Sequence, residues 1–409
     1  MYLNILFHSH IMADQAPLPG MNTTVPDPDM LAPATTTAQL GEVLHRPVVL
    51  IATATINKGA VFTNGLYQNI YMIYRLCEAL GYLPFFLFNT AVTTPEPFLA
   101  DCRILTVETL MKSPLPVKIY LEIGMSIDIP FRKFMKALGA RNIKLYLGNI
   151  LNIDVETIQF YTEINFSHHV VGEMDEIWVS PHYEMHREYA GVLNHVGLGA
   201  AKIAPYVWDP CFISDHGRRR LTWRMPAAGE PETFIIMEPN ISFQKSALVP
   251  LLALSERARA NPGWTPRVIV INGQRLLASG NFVENILPNL AIRPYCDFRG
   301  RATMVEMMEE FPSATFLCHQ VNNEYNYMVL ELLYCGFPVI HNGERWTDFG
   351  YSYAGNSLAN LNAAIDRTRT HKIDGPIMTS RAQTLFWRHS IHNPVVQDAW
   401  AAMLESKGK

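Results

Sequence analysis

The feature that most restricts the fold of this 409-residue chain is a recurring pair of segments. A short apolar run rich in β-branched residues is followed by an amphipathic stretch that often ends in glycine. Pro47-Val48-Val49-Leu50-Ile51-Ala52-Thr53 shows no polar alternation, the mark of a strand covered on both faces. Next comes a helical pattern with Leu66, Ile70, Ile73, Tyr74, Cys77 and Leu80 on one face, stopping at Gly81. The same reading places strands at 83–88, 118–123, 143–147, 176–179 and 202–207, and helices at 131–138 and 183–194. Residues 208–232, with Pro210, Gly217, Arg218-Arg219-Arg220, Pro226, Gly229 and Pro231, break the rhythm and read as a linker. A second series follows: strands at 233–237, 267–271, 315–317 and 338–340, and helices at 246–259, 303–311, 325–335 and 358–368. Residues 380–404 read as helical, with Pro394 imposing a kink or a break. Strand–helix–strand units at this spacing form parallel sheets covered on both faces. The expectation is therefore α/β, two Rossmann-like doubly wound domains facing a cleft, with ligands beyond the carboxyl ends of the strands. The boundaries are 1–45 for a disordered leader, 46–207 for the first domain, 208–232 for the linker and 233–378 for the second. The helices of 379–409 would pack back on the first.

Apolar residues make up 49% and charged residues 17%, enough for cored domains. With 33 Lys and Arg against 37 Asp and Glu, the net charge is −4, so no global field attracts nucleic acid or an anionic membrane. No window of 18 consecutive apolar residues occurs, which argues against a transmembrane helix. No Lys or Arg precedes Arg46, so the basic start of a signal peptide is missing. The six cysteines are scattered without a CxxC pair and read as reduced thiols. A cytoplasmic location is the expectation.

One helix carries an electrostatic oddity. In Tyr327-Met328-Val329-Leu330-Glu331-Leu332-Leu333-Tyr334-Cys335, Glu331 is the only ionised group amid apolar neighbours. A buried carboxylate costs several kcal/mol unless something compensates it, either a cation, backbone N–H groups or a ligand. Gly336 closes the helix, and Pro338-Val339-Ile340 enters a strand.

Glu331 followed by Gly336-Phe337-Pro338-Val339-Ile340 resembles the donor-site motif of GT-B glycosyltransferases. The resemblance implies that Glu331 accepts hydrogen bonds from the ribose hydroxyls of a nucleoside diphosphate sugar. Those enzymes often carry a second glutamate eight positions earlier, near the transferred sugar. Here that position is Asn323, with Glu324 adjacent. Further stretches resemble an uncharacterised, mainly bacterial family of glycosyltransferase-like proteins. They include Thr63-Asn64-Gly65-Leu66-Tyr67-Gln68-Asn69, Leu121-Glu122-Ile123-Gly124, Leu147-Gly148-Asn149, Glu238-Pro239-Asn240-Ile241-Ser242, His319-Gln320 and Asn326-Tyr327. Their order spans about 60 to 350 of the chain.

Several of these residues have a reading of their own. Residues 238–245 follow a strand and open a helix, so Lys245, with Asn240 or Ser242, can meet a diphosphate at the helix N-terminus. Arg275 and Arg301 compete for that role, and a simple cap with a solvated lysine is the alternative. Asn64 either caps the first helix or faces the cleft with Gln68, while Gly65 lets the backbone approach a ligand. The absence of G-x-G-x-x-G there argues against a dinucleotide dehydrogenase. Glu122, at the end of a strand, is the first candidate for a general base, and His168 is another; Glu122 could instead hold a loop. His182 and His186, with Glu184 between them, read as the first turn of a surface helix. No metal-ligand pattern appears.

The candidate substrate-binding set is thus Asn64, Gly65, Gln68, Asn240, Ser242, Lys245, His319, Asn323, Glu324, Asn326 and Glu331. The resemblance implies a metal-independent glycosyltransferase with no cofactor beyond its donor. Its acceptor could be a glycan, a lipid-linked glycan, a small molecule or modified DNA. Two alternatives stand beside it: a viral or phage transferase that glycosylates modified DNA bases, and a non-catalytic binding or scaffold protein of the same fold.

Overall fold

Val48–Ala52, the first apolar run, forms β1, and every one of its side chains is buried. The structure, a computed structural model, describes residues 45–62, 64–148, 150–152, 154–155, 170–214, 221–242, 244–370 and 375–406. The leader up to residue 44, Arg218–Arg220 and His168 lie outside the described residues.

In the N-terminal half β1 is followed by α1 (Gly65–Ala79), β2 (Leu83–Phe88), β3 (Ile104–Thr106) and α2 (Val107–Lys112). Then come β4 (Ile119–Glu122), α3 (Ile129–Ala137), β5 (Arg141–Tyr146), β6 (Glu176–Val179), α4 (Arg187–Leu193) and β7 (Lys202–Ile203). The strands form a seven-stranded parallel sheet in the order β3-β2-β1-β4-β5-β6-β7. Pleating sends alternate residues of β1 to opposite layers. Val49 and Ile51 pack with Ile70, Ile73 and Leu76 of α1. Val48, Leu50 and Ala52 pack with Leu110 of α2 and with Phe131 and Met135 of α3.

The C-terminal half repeats the plan with β8 (Thr233–Ile236), α5 (Leu248–Ala260), β9 (Arg267–Val270), α6 (Gly273–Leu277) and β10 (Cys296–Phe298). It continues through α7 (Met304–Glu310), β11 (Thr315–Cys318), α8 (Tyr327–Tyr334), β12 (Val339–His341), β13 (Tyr351–Ser352) and α9 (Leu358–Thr370). Its six-stranded parallel sheet has the order β10-β9-β8-β11-β12-β13.

Differences from the sequence reading have local causes. The strand expected at 202–207 pairs only over Lys202–Ile203, since the next ladder positions meet Pro205, which has no N–H to donate. The helix expected from 183 begins as a 3-10 turn at Pro181–His186 and becomes α4 only at Arg187. The edge strands β3, β10 and β13, two or three residues each, were too short to show a period.

Two helices finish the chain. α10 (Gly375–His389) packs on the C-terminal half, where Phe386 meets Tyr334 at 5.6 Å between ring centroids. Asn393 caps α11 (Pro394–Glu405) by accepting from Val395 N at 3.0 Å, and Pro394 opens it. α11 lies on the N-terminal half: Val396, Trp400 and Leu404 join its core. Trp400 stands edge-on to Trp178 at 5.7 Å and donates its Nε1–H to Pro205 O at 3.1 Å. The outgoing and returning segments meet where Trp208 N donates to His389 O at 2.9 Å. Among the described residues no helix is long and apolar enough to cross a membrane, and none of the six cysteines is in a disulfide. Trp400→Ala is expected to cost about 3–5 kcal/mol of unfolding free energy by chemical denaturation. A loss below about 1 kcal/mol would mean that α11 is not part of the N-terminal core.

Candidate functional site at the junction of the halves

The loops past the carboxyl ends of β8 and β11 meet in a buried polar network. Glu238 is fully buried. Its Oε1 accepts from His319 N at 3.0 Å and its Oε2 from Gln320 Nε2 at 3.1 Å. Burial pushes its carboxyl up to about 7, against the opposing pull of Lys245. The same burial lowers the Lys245 ammonium, and the charge of Glu238 works against that.

Asn240 adopts a left-handed backbone, φ 54°, and closes the loop: its N–H donates to Lys245 O at 3.0 Å, and its Oδ1 accepts from Ala247 N at 2.8 Å. Asn240 is thus occupied in shaping the entry to α5. Two other buried atoms of the loop, Ser242 Oγ and Gln244 Oε1, have no hydrogen-bond partner among the described residues.

Asn323 connects this network to the N-terminal half. Its amide lies against Gln320. In the orientation that satisfies its other neighbours, Nδ2 donates to Gly148 O at 3.0 Å and Oδ1 accepts from Lys245 Nζ at 3.1 Å. His319 pairs its Nδ1 with Tyr353 OH at 2.5 Å, and its Nε2, also buried, has no partner. Burial lowers this imidazole to about 4, so it is neutral near pH 7.

Glu331 is 2% exposed. Oε1 accepts from Gln68 Nε2 of the opposite half at 2.7 Å, and Oε2 has no hydrogen-bond partner among the described residues. Gln68 is held from behind because Nε2 also donates to Val61 O at 3.3 Å. No cation pairs with Glu331 among the described residues, and burial pushes its carboxyl up to about 7. α1 and α8 touch closely here: a Cβ on Gly65 would stand 1.8 Å from the Tyr327 ring.

Of the sequence-derived set, Lys245, His319 and Asn323 belong to the polar network past β8 and β11, with Ser242 in its loop, and Gln68 and Glu331 pair where α1 meets α8. Other members have different duties. Asn64 caps α1, accepting from Leu66 N at 3.2 Å. Gly65 admits the Tyr327 ring. Asn326 caps α8 by accepting from Met328 N at 3.1 Å, with its Nδ2 unpartnered. Glu324, half-buried, sits 4.0 Å from Arg345. Arg275 and Arg301 are exposed.

The largest correction concerns Glu122. It is fully buried in a bidentate pair with Arg132, Nε to Oε1 at 2.9 Å and Nη2 to Oε2 at 2.7 Å. Tyr120 OH at 2.8 Å and Ile127 N at 3.3 Å complete its shell. Oε1 takes three donors and Oε2 one, and the pair with Arg132 holds the loop after β4, the other role that the sequence left open for Glu122. The surface-helix reading of His182 also fails, for the ring is 7% exposed. Gln320, present in the sequence reading only through the His319-Gln320 stretch, and Tyr353 lie outside the candidate binding set, because no spacing links residues gathered from separate loops. Among the described residues no group of three or more His, Cys, Asp or Glu side chains is placed to hold a metal ion.

Two parallel α/β sheets with a polar junction at their strand ends define the GT-B fold, as solved structures confirm. A glycosyltransferase from Rickettsia africae superposes with a TM-score of 0.55 at 10% identity, covering 88% of this chain and 98% of that one. The trehalose-6-phosphate synthase OtsA gives 0.57 at 11%, covering 88% and 99%. An alpha-glucosyltransferase in complex with UDP and a 13-mer DNA containing an HMU base gives 0.55 at 10%, covering 88% and 100%. At such identities the likeness establishes the fold alone. The chain belongs to the family described as protein of unknown function (DUF2827), whose model matches residues 49–404. No curated protein matches the sequence.

Two stability measurements follow. Arg132→Met should cost about 3–5 kcal/mol, and adding Glu122→Gln should recover most of it, because the damage is an uncompensated buried carboxylate; equal costs for the single and double variants would contradict the pairing. Glu331, whose folded pKa exceeds its unfolded value of 4.5, binds more protons when folded between about 4.5 and 7. It therefore makes stability fall as pH rises through that window. Glu331→Gln removes this term, so the variant should gain on the wild type by something on the order of 3 kcal/mol between pH 4 and pH 8. A pH-independent difference would place the group outside its buried setting.

Proposed function

We propose that this chain is a glycosyltransferase that takes its sugar from a nucleoside diphosphate sugar. The observation that carries the reading is Glu331: a buried carboxylate whose one partner is a neutral amide and whose second oxygen has none. A ribose diol would supply the missing donors at no cost in charge, and a carboxylate accepts them strongly. Lys245 and the unpartnered Ser242 Oγ lie where the diphosphate would run, beside the entry to α5. Their role is to stabilise charge on the departing diphosphate, which lowers the barrier for attack by an acceptor hydroxyl without an added metal. Asn323, next to Lys245, stands at the sugar end. The α-glucosyltransferase bound to UDP and DNA has the same fold, which makes modified DNA one acceptor to assay beside glycans and small molecules.

A non-catalytic nucleotide-sugar-binding protein is the second reading. It is favoured by the amide at Asn323, where related sites often carry a carboxylate, and by the engagement of Glu122 with Arg132.

Titration calorimetry with UDP-, GDP-, ADP- and TDP-sugars tests the donor. One should bind, and Glu331→Ala should weaken it roughly 10- to 100-fold while the protein still unfolds cooperatively. Unchanged affinity in that variant would sink the assignment. Release of free nucleoside diphosphate with turnover separates the enzyme from the binding protein.

A further inference from the structure

His182 follows β6 through Ser180 and Pro181 and lies in the junction rather than on the surface. Its Nε2 is 2.8 Å from Gly148 O, which also accepts from Tyr183 OH at 2.6 Å. A carbonyl only accepts, so Nε2 carries the proton and donates. Burial lowers the imidazole to about 4, and the charges of Lys245 and Arg345, both from the opposite half, act in the same direction. The ring is therefore neutral near pH 7, and Nδ1 keeps its lone pair. That atom is buried and has no hydrogen-bond partner among the described residues.

A buried acceptor without a donor is costly, and its chemistry limits what can relieve it. A phosphate oxygen brings a second lone pair and cannot. An ammonium group would be repelled by Lys245. A hydroxyl fits. The position says which hydroxyl. Gly148 O, on which His182 is fixed, also receives Asn323 Nδ2, and Asn323 in turn meets Lys245. A donor with its ribose at Glu331 and its diphosphate at Lys245 therefore brings its sugar towards Asn323 and His182.

We propose that His182 Nδ1 accepts a hydrogen bond from a hydroxyl of the transferred sugar, so that the N-terminal half completes the glycosyl subsite of the donor. The inference rests on the donor reading above and extends it to a residue of the opposite half. The ring's orientation is set by Gly148, and no proton transfer is required of it.

The test compares a nucleoside diphosphate with its sugar ester in the wild type, His182→Phe and His182→Gln. Phenylalanine keeps the ring volume against Tyr183 and Tyr325 and leaves Gly148 O its bond from Tyr183. Glutamine restores a donor and an acceptor. UDP with UDP-glucose, GDP with GDP-mannose, ADP with ADP-glucose and TDP with TDP-glucose are titrated by calorimetry. In the wild type the sugar ester that binds should do so more tightly than its parent diphosphate. His182→Phe should erase that margin, a roughly 10-fold loss for the ester, with diphosphate affinity unchanged, and His182→Gln should recover part of it. Equal losses for ester and diphosphate, or no loss for either, overturn the role of His182 and leave the donor reading standing. A wild type with no preference for the ester overturns it too. A wild type that binds no nucleotide overturns both.

Discussion

The hydrogen bond between Gln68 and Glu331 joins the two halves of the protein at the point where their chemistry meets. Its carboxylate arises from a helix that is otherwise apolar, and its amide from the first helix of the other half. A neutral amide relieves one oxygen and leaves the other unserved, so the contact holds the junction together without cancelling the cost of burial. Gly65 makes it possible by letting α1 approach the Tyr327 ring.

Three buried carboxylates show how differently the fold treats the same group. Glu122 is matched by a guanidinium, a phenol and an amide N–H, and serves the architecture. Glu238 is matched by an amide and a backbone N–H, with Lys245 as its opposing charge, and orders the loops past β8 and β11. Glu331 has one neutral partner. Compensation falls from the first to the third, and the uncompensated group marks the place where a ligand has most to offer. The same logic singles out Ser242 Oγ, His319 Nε2 and His182 Nδ1, which lack partners among the described residues.

Composition and periodicity made the two parallel sheets legible, because strands covered on both faces must be continuously apolar and helices between them must be amphipathic. The helix start at Pro394 was legible because proline cannot continue a helix. Edge strands of two or three residues carry no period. Among site residues, Glu331 stood out because a lone charge on an apolar helix is a local anomaly. Glu122, at a strand end, read as a candidate base or as a holder of its loop, and no pattern announces its pairing with Arg132 ten residues on.

What the sequence determined by itself was the α/β class, the doubling of the sheet and the burial of an anion at position 331, all of which follow from side-chain polarity read against two fixed backbone periods. What only the tertiary structure decided was partnership. Gln68 meets Glu331 across 263 positions of chain. His182 is drawn inward to Gly148, and Asn64 and Asn326 cap helices. Hydrogen bonds depend on distance and direction in space, and two sheets brought together at their strand ends set those for residues that the chain itself keeps far apart.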